Sequence, residues 1–352
     1  MTNVYIDPYS YVHLANILFK EDTIYNRNDR FAGWRYLKKY CFERNMSLNT
    51  IDFWKENKAT KEDIYVSFDH KDFIRKLYWR FKNKNYPIVK LNKFKKRILF
   101  QYEPPLIMPE VYTNINGLLK IYDKIYFSCE IDNQKCYCFH SPRPYNEIMF
   151  DYWGNSNRKF LTMININKSP RLFRRLIMWK NKKLLPLQKE LLSDRIKIIE
   201  FFSLTGDIDL YGIDWDKNPH FPLSFSKKAI QKVYKGPVVS KFQKLSEYKF
   251  GIAFENSIVP GFIEEALFDC FYTGTVPIYL GAPNIEKYIP KNCFIDMRDF
   301  KNYEELKQYL KALTESEIKI YKENARKFLK SEKFKPFTKE YFAKLFVDAI
   351  NN

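Results

Sequence analysis

The sequence predicts an α/β protein of two domains, each a parallel sheet covered by helices. Three observations carry this. Short apolar runs of the kind found in buried strands alternate with stretches of helical apolar spacing. The chain has 352 residues, more than one hydrophobic core ordinarily serves. Residues 248–281, YKFGIAFENSIVPGFIEEALFDCFYTGTVPIYLG, read as one complete strand–helix–strand unit.

Taken in order, residues 4–7 are the first expected strand and 31–44 an amphipathic helix. Strands are expected at 50–53 and 64–68. Residues 97–102 form a strand that Glu103-Pro104-Pro105 must end, because a proline pair cannot continue a ladder. Residues 117–122 read as helix and 124–128 as strand. The run 159–166 is strongly β-like, 184–203 is a long helix interrupted near Pro186, and 208–211 is a strand closed by Gly212. In the central block, strand 248–254 leads through Pro260-Gly261 into helix 262–272, which Gly274 ends before strand 276–280. Helices at 303–314, 316–329 and 337–350 finish the chain. With no Pro-, Ser- or Gly-rich linker in sight, the domain boundary is expected near 155, giving domains 1–155 and 156–352.

Hydrophobic residues make up 45% of the chain and aromatics 18%, enough for both cores. The N-terminus lacks the basic start and apolar run of a signal peptide, and no stretch approaches the ~20 apolar residues of a membrane span. A cytoplasmic protein, soluble or peripheral on the inner face of the membrane, is the expectation. Six cysteines spread through the elements fit free thiols in a reducing compartment. Cys136, Cys138 and His140 alternate along one expected strand, but structural zinc sites generally use C-x(2–4)-C pairs rather than C-x-C, so no metal is expected. His13, His70 and His220 stand apart and suggest no nucleophilic triad.

The net charge of +19 is concentrated. Residues 71–97 carry eleven Lys/Arg against one acid, and 168–189 carry eight against none. Both interleave cations with large apolar residues, which fits an anionic membrane surface as partner and equally fits a solvated basic face. No recognised nucleic-acid motif accompanies them, so nucleic acid is not the expected partner.

In an open α/β sheet, ligands bind outside the carboxyl ends of strands, near helix N-termini that attract phosphate. Glu255, Asn256 and Ser257 lie at such an end. The block resembles the signature of the α-1,3/1,4-fucosyltransferase family, glycosyltransferase family 10. The matching residues are Phe254-Glu255-Asn256-Ser257, then Phe262-Ile263-Glu264-Glu265-Ala266, then Gly274-Thr275-Val276-Pro277-Ile278-Tyr279-Leu280-Gly281. The match runs on through Ile289-Pro290, Cys293-Phe294-Ile295-Asp296 and Arg298-Asp299-Phe300. One departure stands inside it: where the family has T-E-K, this chain has Glu264-Glu265-Ala266, keeping only the middle acid.

The resemblance implies a GT-B fold, with two Rossmann-like domains facing a cleft, an acceptor-side domain first and a donor-binding domain second. It also implies an inverting, metal-independent glycosyltransferase that moves fucose or a related deoxysugar from a GDP-sugar to a glycan or glycolipid hydroxyl, such as lipopolysaccharide or O-antigen. No cofactor beyond the co-substrate is implied. Asp207-Ile208-Asp209 has the letters of a metal motif but reads as a strand entry.

Such a transfer needs a carboxylate to deprotonate the acceptor, and positive charge or amide dipoles to hold the departing diphosphate. Glu103, at a strand end before a proline turn, is the candidate base; Glu110 and Glu130 are lesser candidates. By the resemblance Arg195 is the phosphate-binding residue; for the lysine absent at Ala266, either Lys197, Lys249 or another base substitutes, or the donor is held differently. Asn256 and Ser257 would bond the donor, Phe262 would pack on its sugar or base, and Glu265 would accept from a sugar hydroxyl. Asn256 and Ser257 also suit helix capping, and Glu255 suits a buried structural partner as well as a donor contact. A binding homologue without transfer, or a basic membrane- or nucleic-acid-binding protein, are the competing classes.

Overall fold

The computed structural model describes residues 1–26, 29–167, 189–216 and 224–352. Its strands are β1 Thr2–Asp7, β2 Met46–Thr50, β3 Ile64–Phe68, β4 Lys96–Gln101, β5 Lys124–Phe127, β6 Cys136–Cys138, β7 Lys159–Ile164, β8 Ile208–Tyr211, β9 Tyr248–Phe254, β10 Val276–Leu280 and β11 Ile295–Asp296. The longer helices are α1 Ala32–Phe42, α2 Phe73–Lys82, α3 Leu192–Thr205, α4 Ser224–Val233, α5 Glu265–Thr273, α6 Tyr303–Ala312, α7 Glu315–Leu329 and α8 Lys339–Asn351. The chain divides into two compact units, Met1–Pro144 with Lys335–Asn352, and Tyr145–Phe334.

In the first unit six strands lie in the order β2-β1-β3-β4-β5-β6, all parallel. A strand covered on both faces reads as an unbroken apolar run, and β3, IYVSF, is buried at every position. Val4, Ile6, Val66, Phe68, Ile98 and Phe100 pack against Trp34 and Leu37 of α1 and against Phe342, Phe346 and Ile350 of α8. The last helix therefore returns to the first sheet. The division of the chain differs from the single boundary expected near 155, because the apolar stripe of α8 completes the first core.

The second strand also differs from expectation. The strand occupies Met46–Thr50, with Met46, Leu48 and Thr50 buried in alternation, and residues 51–53 form a 3₁₀ turn. Thr50 donates its backbone N–H to Asn16 Oδ1 at 2.8 Å and its Oγ1 accepts from Asn16 N at 3.0 Å, which turns the chain out of the ladder. The helix expected at 117–122 shrinks to one turn at Ile115–Leu118. Of that expected at 184–203, the described part is α3, ended by Gly206 in the left-handed region (φ 71°); 184–188 lie outside the described residues.

In the second unit five parallel strands lie in the order β11-β10-β9-β7-β8. Leu161, Met163, Phe250, Ile252, Val276 and Ile278 supply its core, covered by Ile198, Ile199 and Phe202 of α3 and by Leu306 and Leu310 of α6. Each sheet changes direction of growth beside its first strand: β1 lies between β2 and β3, and β7 between β8 and β9. The crevice outside the carboxyl ends at such a point is where open α/β sheets bind ligands. In the second sheet this places Phe254 to Ser257, at the end of β9, beside the switch. The exits of β7 and β8 meet closely there: at Gly212 (φ 131°) a Cβ would lie 1.7 Å from Asn165 O, so only glycine fits.

Candidate active site

The end of β9 is fixed from three sides. Arg195, one turn into α3 and buried, donates from Nε to Phe254 O at 3.1 Å and from Nη1 to Asn256 Oδ1 at 3.0 Å, and its Nη2 bonds the same carbonyl. Asn256 passes the connection on, donating from Nδ2 to Glu264 Oε2 at 2.7 Å. Leu191 N donates to Asn256 O at 3.0 Å and Ile258 N to Lys189 O at 2.8 Å, so the segment before α3 runs antiparallel to residues 256–258.

Glu255 turns under the sheet. Its backbone N–H continues the ladder to Leu280 O at 2.8 Å, and its Oε1 accepts from the backbone N–H of Glu264, the residue that caps α5, at 2.9 Å. Gly281 makes the space, since a Cβ there would lie 2.3 Å from Glu255 Cγ. The closing glycine of G-x-V-P-I-Y-x-G thus leaves room for the glutamate side chain of F-E-N-S. Gly261, at φ 72°, sets the entry to α5, and its N–H donates to Asn284 Oδ1 at 2.9 Å.

Electrostatically the cluster is acidic. Burial, and then the negative charge of Glu264, push the Glu255 carboxyl well above the usual range. Burial lowers the Arg195 value, opposed by Glu264, Glu255, Glu265 and Glu190, while its fork keeps the charge. The N-terminus of α5, where the sequence suggests a phosphate, already faces the carboxylates of Glu255 and Glu265. A carboxylate placed so accepts from hydroxyls more readily than it tolerates an anion.

The Glu255 titration gives a sign. A carboxyl raised in the folded state contributes stability that is full below the ordinary value of 4.5 and lost as pH rises through the folded value. Glu255→Gln keeps an acceptor for Glu264 N but cannot ionise. Its melting temperature relative to the parent is therefore expected to rise steadily as pH increases from about 4.5. Melting curves across that range check this, and parallel pH profiles for the two proteins would contradict it.

The structure brings together Arg195, Glu255, Asn256, Ser257, Glu264 and Glu265. Ser257 is buried, and its hydroxyl has no hydrogen-bond partner among the described residues. Phe262 is buried, whereas Glu265 is exposed at the first turn of α5. Lys249 is not brought in: it lies at the opposite, N-terminal end of β9 and pairs with Glu315. Lys197 pairs with Asp194 at 3.8 Å. A cation unforeseen from the sequence lies beside α5: Lys241, with Nζ 2.5 Å from Asp269 Oδ2 and 4.0 Å from Glu265 Oε1. A lone lysine in Ser-Lys-Phe carries no signal that could have marked it. Asp207 and Asp209 lie at the start of β8, where Asp207 meets Lys307 at 2.9 Å and Asp209 meets Lys159 at 3.5 Å.

Glu103 belongs to the first unit, two residues beyond β4. Its N–H donates to Asp69 Oδ1 at 3.1 Å, and its carbonyl accepts from Gln101 Nε2 at 3.1 Å and Tyr112 OH at 2.9 Å. Asp69, in the left-handed region (φ 63°) just after β3, also accepts from Tyr102 N and Gln101 Nε2, and burial raises its pKa. The sequence offers no sign that this aspartate, more than thirty residues earlier, fixes the Glu103 backbone.

Residues 188–340 match the sequence profile described as glycosyltransferase family 10 (fucosyltransferase) C-term. Those residues, fewer than half of the chain, are similar to that family's C-terminal domain. Among curated relatives, the α-(1,3)-fucosyltransferase FucT of Helicobacter pylori is 38% identical over 76 residues, 22% of this chain and 16% of that protein. The α-(1,3)-fucosyltransferase B of Drosophila melanogaster is 37% identical over 115 residues, 32% of this chain and 25% of that protein. The chain thus spans a quarter or less of the length of these relatives. A crystal structure of an α1,3-fucosyltransferase with GDP aligns over 100% of this chain and 90% of its own, with a TM-score of 0.50 and 14% identity. An α-glucosyltransferase in complex with UDP and DNA aligns over 100% of both chains, with a TM-score of 0.52 and 10% identity. At these identities the likeness shows the fold, the two-sheet α/β fold of GT-B glycosyltransferases. Within the residues that match family 10 lie all the β9-end residues described above, Arg195 to Glu265.

Proposed function

We propose that the chain is an inverting, metal-independent glycosyltransferase that transfers fucose or a related deoxysugar from a GDP-sugar to a hydroxyl of a cell-surface glycan. The observation that carries this is the polar cluster Arg195–Asn256–Glu264–Glu255, held at the carboxyl end of β9 beside the switch point of the second sheet, within the residues that match family 10. Glu265, and Ser257 through its unused hydroxyl, serve the donor's hydroxyls. Arg195 acts as a positioning residue, since three of its nitrogens hold Phe254 O and Asn256. Glu103 is the base, supported by its strand-end place and its doubly anchored backbone. The reaction passes the acceptor hydroxyl proton to Glu103 as the new glycosidic bond forms and the nucleoside diphosphate departs. Six cysteines present as thiols support a reducing compartment, the cytoplasm.

One observation favours a second donor. Ala266 stands at the family's lysine, and the acids around Arg195 outnumber it. Melting with GDP-fucose, other GDP-sugars, and UDP-, TDP- and CMP-sugars tests both readings. The true donor at a hundredfold over its Kd is expected to add about 2.7 kcal/mol to stability and raise the melting temperature by several degrees. A shift with a UDP- or TDP-sugar and none with any GDP-sugar would replace the donor assignment, and no shift with any would refute the function.

A further inference from the structure

Helix α2 turns its apolar residues outward. Phe73, Ile74, Leu77, Tyr78 and Phe81 are 65%, 76%, 45%, 53% and 81% exposed, whereas Trp79 is buried. At about 100° per residue, the five exposed residues cover about 140° of the helix surface and Trp79 lies opposite. A helix on a soluble core normally buries such a stripe.

The orientation is fixed by the inward side. Trp79 packs edge-on against Tyr86 with ring centroids 5.3 Å apart, and the buried Lys71 ammonium lies 4.9 Å from its ring centre. Arg75 reaches Met108 Sδ at 3.1 Å, and Asp72 caps the helix by accepting from Arg75 N at 2.7 Å. Arg80 and Lys82 fall on the two borders of the exposed stripe. Arg80 Nη1 donates to Tyr86 O at 2.9 Å, and the Lys82 ammonium lies 5.7 Å and 5.9 Å from the ring centres of Tyr78 and Phe81. The apolar stripe is therefore fringed by cations, and Ile88 beyond the helix is also exposed.

Charge selects the occupant. Residues 71–97 hold eleven Lys/Arg and one acid, that acid being the Asp72 cap. A second copy of the same face would bring like charge against like, and so would residues 168–188, which contain seven Lys/Arg and no acid. The occupant must be anionic and must accept a flat band of aliphatic and aromatic side chains. An anionic bilayer offers both, with headgroups for the borders and acyl chains for the stripe. No helix among the described residues is long and apolar enough to cross a membrane, so the contact is with its surface. We propose that α2 is a membrane-contact helix that seats Phe73, Ile74, Leu77, Tyr78 and Phe81 in the interface of an anionic phospholipid bilayer. This is independent of the transfer reaction.

Co-sedimentation with vesicles tests it, using phosphatidylcholine alone and phosphatidylcholine mixed with phosphatidylglycerol. The parent protein is expected to partition to the mixed vesicles and at least about tenfold less to phosphatidylcholine, and to be released by high salt. The variant Phe73→Ser/Ile74→Ser/Phe81→Ser is expected to lose about tenfold or more of that partitioning at an unchanged melting temperature, because these side chains leave no core contact. Lys82→Gln/Lys84→Gln, which keeps the stripe, should weaken binding to the mixed vesicles alone. Equal binding by the triple variant and the parent would overturn the proposal. So would indifference of the parent to mixed vesicles, or a dimer in sedimentation velocity that the triple variant dissolves without any vesicle binding.

Discussion

Replacing Glu103 by Gln is expected to slow sugar transfer by about 10²- to 10⁴-fold while leaving the donor-induced rise in melting temperature intact. The amide keeps the size and one acceptor of the carboxylate but cannot take the acceptor's proton. Its backbone bonds to Asp69, Gln101 and Tyr112 do not involve the changed atoms, and melting of the variant without donor checks that the fold is retained. Single-turnover rates and nucleotide-sugar melting shifts on the same preparation separate chemistry from binding. Near-normal turnover would remove Glu103 from the reaction, and Glu110→Gln and Glu130→Gln would then be the variants to compare. The variant's residual rate should also lack any pH dependence that ionisation of the base gives the parent.

The second large effect is expected at Arg195. Arg195→Ala leaves Phe254 O and Asn256 Oδ1 without their donor and removes the cation from a pocket holding Glu255 and Glu264. Breaking a buried charged cluster by removing one partner costs about 3–5 kcal/mol. For a unit of this size that is a fall of roughly 10 °C in melting temperature, larger at high pH where the carboxyls are harder to keep neutral. Arg195→Lys restores charge without the fork and should recover only part of the loss. If Arg195 served the donor phosphates alone, Arg195→Ala would melt like the parent and only the donor-induced shift would disappear. The two roles are therefore told apart by melting with and without nucleotide sugar.

Much of the fold is legible in the sequence where burial is two-sided. The runs at β3, β9 and β10 are apolar nearly throughout, as central parallel strands must be, and their limits coincide with the expected ones. The half-buried β2 is misread by several residues, since its alternation of Met46, Leu48 and Thr50 is no stronger than that of the residues that follow. Helix α2 is not among the expected elements, although Phe73, Ile74, Leu77, Tyr78 and Phe81 repeat at helical spacing; spacing alone does not show that this stripe faces outward. The strand end Phe254 to Ser257, with the helix and strand after it, is legible because glycine, proline and polar residues punctuate it. What fixes that end is not. The bonds from Arg195, about sixty residues earlier, and from Asp69 to Glu103 are set by strand order, which single residues do not encode.

The return of α8 to the first sheet bears on the order in which the molecule can be made. On a ribosome the strands of the first unit emerge early, but Phe68 and Phe100 lack part of their cover until Phe342 and Phe346 appear. The second unit, Tyr145–Phe334, has by then every one of its described strands and helices. The half that is synthesised first is therefore completed last, and it waits with an apolar sheet face partly open while its neighbour folds.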